Sequence, residues 1–184
     1  MPYLPPLFPK ARARQKTARM LYDSVMLHSR NPIFYTQYKV PDSFDGRFEL
    51  VALHVGLLIN RLKTEGVEGT KLAQALFDVM FLNLELACRE MGIGDLSVPR
   101  HMKRMMNGLN GRAKAYDTDE LADPITRNIY GTILEIAPET IKHMVLYVKD
   151  LKINLAAQSA QDIQSGIINF EFKEVYDDEK KYSA

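Results

Sequence analysis

Apolar residues recur at spacings of three and four along most of this chain, and that rhythm predicts helices nearly throughout. Between Lys10 and Ser29, Ala18, Leu21, Tyr22, Val25 and Met26 form one stripe. Asn31-Pro32 ends it, because the residue before a proline is pushed out of helical geometry. A linking loop follows, with Phe34, Tyr35 and Tyr38 available to pack. From about Asp45 to Lys63, Phe48, Val51, Val55, Leu58 and Leu62 share a face that Leu50, Leu53 and Leu57 widen. So wide an apolar surface predicts a central core helix, with Asp42 and Asp45 as its N-terminal cap pair. "EGVEG" predicts a turn. The next helix, about Thr70 to Met91, carries Leu72, Leu76, Met80, Leu84, Ala87 and Met91 on one face and Phe77, Phe81 and Cys88 on a second. Gly92 is its natural stop.

Three more helices follow. Ser97 caps one that reaches Tyr116, with Pro99 in its first turn. Val98, Met102, Met105, Met106, Leu109 and Ala113 lie on one side of it; Arg100, Lys103, Arg104, Asn107 and Lys114 fall mostly on the other. Asp123-Pro124 opens a helix on which Ile125, Ile129, Ile133 and Ile136 repeat. Pro138 opens the last, to about Ala160, with Ile141, Val145, Val148, Leu151 and Leu155 aligned. "MPYLPPLFP" is too rich in proline for a helix and predicts an extended arm over residues 1–9. "IINFEFKEVY" alternates like a strand without a partner, which predicts an extended tail over 163–184. The pattern as a whole predicts an all-α, single-domain bundle of six or seven helices over residues 10–162.

Composition narrows the function. A chain of 184 residues, 46% hydrophobic, can bury one sizeable core. A formal net charge of +1 excludes polyanion binding by bulk charge. The cations are nevertheless clustered. Lys10, Arg12, Arg14, Lys16, Arg19 and Arg30 face only Asp23 before Lys39, and a second group holds Arg100, Lys103, Arg104, Arg112 and Lys114. Such groups are either solvated faces or contacts for an anionic membrane surface or ribosomal RNA. A single cysteine, Cys88, excludes an internal disulfide framework and points to a reducing compartment. No signal peptide is expected. The run Val51–Ile59 is far shorter than the ~20 apolar residues a bilayer needs. The expectation is a soluble, cytoplasmic protein, peripheral at most at the cytoplasmic face of the inner membrane.

No catalytic constellation emerges. His28, His54, His101 and His143 lack metal-ligand spacing, and Cys88 lies on an apolar stripe. "MGIGDLS" lacks the third glycine and the preceding strand of a dinucleotide fingerprint. Walker A, zincin, nucleophile-elbow and Glu-x-x-His motifs are missing. No enzyme activity, metal or cofactor is expected. Gly108 and Gly111 each cost about 1 kcal/mol against alanine inside a helix. Glycines so spaced allow another backbone to come close, from within the domain or from a partner. The methionines fill a core or offer an adaptable apolar surface.

The words "FYTQYKVPDSFDGRFELVALHVGLLINRL", "QALFDVMFLNLE", "REMGIGDLSVPRHMKRMMNGLNGRAKAYD" and "RNIYG", in this order, resemble the ubiquinol–cytochrome c chaperone family in its alphaproteobacterial form. The resemblance covers roughly Arg30 to Asp150 and is most distinctive over Arg89–Asp117. Asn83 departs from it where an acidic residue is expected, and Leu109-Asn110 where the family favours an aromatic. The resemblance implies an α-helical assembly factor for ubiquinol–cytochrome c reductase, not an enzyme, whose client is newly synthesised cytochrome b. Mitochondrial members work with a small partner protein and associate with the ribosome. A client groove is then expected between the Thr70–Met91 and Ser97–Tyr116 helices. Phe81, Met102 and Met106 would meet the client, with Arg104, Arg112 and Lys114 at the rim, while Gly111 would allow close helix approach. Lys10, Arg12, Arg14, Lys16 and Arg19 would tether the chain to membrane or ribosome. The alternative is a ribosome- or RNA-associated adaptor using the basic clusters; specific DNA binding is not expected. Exposure of Met102, Met106 and Phe81 separates the two.

Overall fold

Every element among the described residues is a helix: α1 (Pro9–Ser29), α2 (Ile33–Thr36), α3 (Phe44–Lys63), α4 (Gly66–Glu90), α5 (Val98–Asn107), α6 (Leu109–Tyr116), α7 (Ala122–Ile129), α8 (Pro138–Ala157) and α9 (Ala160–Gln164). The structure is a computed structural model and describes residues 9–170, leaving aside the side chains of His101, Arg104, Met106, Asn107 and Asn110. The all-α architecture follows the apolar periodicity. The division is finer than six or seven because the loop after α1 holds the single turn α2, the Met-rich helix breaks at Gly108, and α9 follows α8.

α3 organises the molecule. Thirteen of its 20 residues are buried, and they serve two cores. Ala52, Val55, Leu58 and Leu62 meet Ala18, Leu21 and Val25 of α1 and Leu72, Leu76, Met80 and Leu84 of α4. On its other side, Leu50, Leu53 and Leu57 join Phe34, Tyr38, Ile125, Ile129, Met144, Tyr147, Val148 and Leu151. The two sets of positions that the sequence places on one widened face are therefore two faces, each packed against its own partners.

The helix ends show where local chemistry wins. The α3 cap is Ser43, whose hydroxyl accepts the Gly46 N–H at 3.1 Å. Asp42 instead pairs with Arg47 at 2.6 Å, and Asp45 sits in the first turn. α4 begins at Gly66, a turn earlier than the "EGVEG" turn suggests. That extra turn is possible because Gly69 lies against the Leu62 carbonyl, where an added Cβ would fall 2.1 Å from the oxygen. α7 stops at Ile129, so Ile133 and Ile136 lie beyond the helix, half-buried against the second core. The stop is fixed by Tyr130, whose buried hydroxyl donates to the Tyr38 carbonyl at 2.7 Å.

The end of the described chain is packed. Ile163 of α9 is buried, and Ile168 and Phe170 lie against both cores. The strand-like alternation there finds its partner in one side chain. Gln158 accepts from the Asn169 N–H and donates to its carbonyl, each at 2.8 Å. Residues 163–170, placed by the pattern in an extended tail, thus touch the helical body. Residues 171–184 and the arm before Pro9 lie outside the described residues.

Candidate functional site

A cleft of ≈ 490 Å³ opens between α1, the start of α3 and the last turns of α4. Tyr22, Met26, Phe44, Phe48, Val51, Met80, Leu84, Leu86 and Ala87 line it, together with Asn83 and the charged Asp23, Arg30, Arg47 and Glu90. Its polar groups are largely committed to the fold. The Tyr35 hydroxyl donates to the Ser29 carbonyl at 3.1 Å, the Asn83 amide to the Val79 carbonyl at 2.7 Å, and Arg47 to Asp42. Burial pushes the Tyr22 phenol's pKa up, which keeps it neutral. What remains is apolar surface edged by charge of both signs. Of its lining, Leu86 is 57% exposed; beside it Leu82 is 45% exposed, and Phe81 and Met91 also reach solvent. Leu82 and Leu86 are one helical turn apart, so apolar exposure continues along α4 from the cleft.

The groove expected between α4 and the Met-rich segment is closed. Val98, Met102 and Met105 of α5 and Leu109 of α6, spaced four, three and four apart, turn onto α4 and share the first core with Leu84 and Cys88. Met102, expected at an open client wall, is 4% exposed and packs in the first core. Met106 and Arg104 lie outside the described side chains. Phe81 and Lys114 remain exposed.

Arg112, expected at the rim, is drawn into the fold. Its guanidinium holds both carboxylate oxygens of Glu49 and lies over the Phe48 ring at 5.7 Å. Gly111 is exposed, and among the described residues nothing lies within 4 Å of a Cβ added there, so no close helix approach is seen at it. That role falls to Gly56 on α3, where an added Cβ would stand 3.4 Å from the Ala113 Cα. Of the expected tether, Lys10, Arg12, Lys16 and Arg19 lie exposed on α1, whereas Arg14 is half-buried and pairs with Glu68 of α4 at 3.3 Å.

Two histidines that look isolated in sequence meet in space. The Tyr147 hydroxyl lies 2.8 Å from His28 Nε2 and 2.5 Å from His54 Nε2, and His54 Nδ1 lies 2.6 Å from the Leu50 carbonyl. A carbonyl only accepts, so His54 carries its proton on Nδ1 and its Nε2 accepts from Tyr147. The tyrosine oxygen is then left to accept from His28 Nε2–H. Burial lowers the His28 pKa to about 4 and that of His54 to about 3, so both rings stay neutral. This is a polar knot tying α1, α3 and α8. Among the described residues, no group of three or more His, Cys, Asp or Glu is placed to hold a metal ion. Cys88 is buried, and burial pushes its thiol up.

Residues 36–171 match the family model described as Ubiquinol-cytochrome C chaperone. This chain belongs to that chaperone family. It is similar to mouse "Ubiquinol-cytochrome c reductase complex assembly factor 1", 24% identical over 79% of this chain and 51% of the relative. It is also similar to "Protein CBP3, mitochondrial" of Saccharomyces cerevisiae, 26% identical over 84% of this chain and 49% of the relative. The chain thus spans about half the length of the curated relatives it matches. Among solved structures, the Cbp3 homolog from Brucella abortus superposes with a TM-score of 0.76 at 31% identity, covering 89% of this chain and 93% of that one. Within the chaperone fold, α3 and α4 lie inside the family match, whereas α1 precedes it. No helix among the described residues is long and apolar enough to cross a membrane.

Proposed function

We propose that this protein is an assembly chaperone for ubiquinol-cytochrome c reductase, and that it holds newly synthesised cytochrome b through the cleft between α1, α3 and α4. The family and the printed names of its relatives support the assembly role. The observation that carries the site is the cleft itself, mostly apolar with charges at its edge, opening at the exposed Leu86 and continued outward by Leu82. A membrane-spanning client offers rows of leucine and phenylalanine, each of which gains about 1.5–3 kcal/mol when fully removed from water. A partial cover over a few such residues is strong enough to hold a client and weak enough to release it. The task calls for binding and no chemistry. The alternative reading, an adaptor for ribosomal RNA, has fewer free cations than the sequence suggests, since Arg14 and Arg112 are engaged inside the fold.

The test is site-specific photocrosslinking during cytochrome b synthesis, from probes at Met26, Leu86 and, on α8, Ile153. Capture from Met26 and Leu86 without capture from the exposed Ile153 supports the site. Capture from Ile153 alone moves the site away from the cleft.

A further inference from the structure

Apart from Gly166 against Met20, the outer side of α1 carries no packed partner among the described residues. Arg12, Lys16, Arg19, Met20, Asp23 and Leu27, with Arg30 just past the helix end, recur at spacings of three and four and are all exposed. Four cations stand there against one carboxylate, and Asp23 is paired with Arg19 at 3.4 Å. Among them lie Leu27, 79% exposed, and Met20, 41% exposed. Gly166 abuts Met20, and the next residue, Ile167, is 61% exposed.

We infer that this face of α1 is a binding surface for anionic lipid headgroups, with Leu27, Met20 and Ile167 entering the headgroup–acyl boundary. Phosphate recognition on a nucleic acid needs cations alone, and a leucine left in the middle of them gains nothing. At a bilayer surface the same mixture is favourable twice, because cations meet acidic headgroups while apolar side chains leave water. The face also has a useful position. Asp23 and Arg30 line the client cleft as well, so a bilayer lying along α1 would run beside the cleft mouth. That placement rests on the proposed chaperone role, but lipid binding itself does not.

The experiment is flotation of the full chain, without client, on vesicles of phosphatidylcholine alone and of equimolar phosphatidylcholine and phosphatidylglycerol. The wild-type chain is expected to float only with the anionic vesicles. Arg12→Gln/Lys16→Gln/Arg19→Gln should weaken binding by roughly tenfold or more at low salt. Leu27→Gln should weaken it by roughly fivefold, and this loss should persist when salt screens the charges. All these positions are exposed, and an unchanged thermal midpoint checks that the fold is intact. Equal binding to neutral vesicles, or none to anionic ones, overturns the inference. So does full binding by Leu27→Gln, and so does binding of single-stranded RNA by a chain that ignores both vesicles. Cytochrome b capture in detergent reads the cleft separately: normal capture by the triple variant leaves the chaperone reading intact whatever the vesicles show.

Discussion

Arg112 on α6 grips both carboxylate oxygens of Glu49 on α3, across 63 positions of sequence. The side chains are only 19% and 10% exposed. Burial pushes the Glu49 carboxyl's pKa up, and Arg112 offsets only part of that rise. Breaking such a pair strands a charge, which costs more than the pair itself contributes. Arg112→Ala is therefore expected to destabilise the fold by about 2–4 kcal/mol in urea unfolding. Arg112→Met with Glu49→Leu should recover much of that loss. A stable Arg112→Ala chain with poor client capture would return Arg112 to the rim of a binding site.

The two glycines of the Met-rich segment should respond in opposite ways. At Gly108 an added Cβ would fall 1.8 Å from Arg112 Nη1, in the path of the arm that reaches Glu49. Gly108→Ala must displace that guanidinium and is expected to cost about 1–2 kcal/mol. Gly111→Ala meets open space on α6 and should gain up to about 1 kcal/mol from helix propensity. Thermal midpoints of the two variants should move apart; movement together would show that the segment packs differently.

Stability should fall with acid through the polar knot. The unfolded histidines titrate near 6.5, and the folded rings at about 4 for His28 and about 3 for His54. Between those values the unfolded chain takes up protons that the folded chain refuses. The contribution is thus whole above 6.5 and is lost as pH falls toward about 3. With the half-exposed His28 discounted for solvent, the slope is about 1–2 kcal/mol per pH unit. Because carboxylates also titrate there, the readout is the difference between wild type and His54→Gln in urea midpoints at about pH 7 and about pH 5. An identical pH dependence in the two chains would dissociate the knot from the acid response.

Periodicity made α3 legible, both its burial and its unusual width, because a helix wrapped on two sides needs apolar residues on two sides. It could not tell which helix each face meets. Val98, Met102, Met105 and Leu109 are correctly an apolar stripe, but the stripe alone fits a groove and a closed seam equally well. The His28–Tyr147–His54 knot was hidden because its members are brought together only by three packed helices. The cleft left a fainter mark. Leu82 and Leu86 stand off the Leu72–Leu76–Met80–Leu84 stripe, and apolar residues in excess of a helix's buried face are a signal of surface use.

That excess gives the sharpest contrast between the two candidate client surfaces. Met102 is 4% exposed and Leu86 57% exposed. Met102→Gln places an amide in a dry seam between α4 and α5, which is expected to cost about 2–4 kcal/mol. Leu86→Gln keeps a good helix former on an open surface, so stability should stay within about 0.5 kcal/mol. Under the proposed function, Leu86→Gln should nevertheless lower cytochrome b capture severalfold, and Leu82→Gln with Leu86→Gln should lower it further. The measurements are a urea unfolding curve and a pull-down of newly made cytochrome b for each variant. If the leucine variants fold and capture normally, the client binds elsewhere. If Met102→Gln is stable and loses capture, the seam opens in solution and the Met-rich helix is the client wall after all.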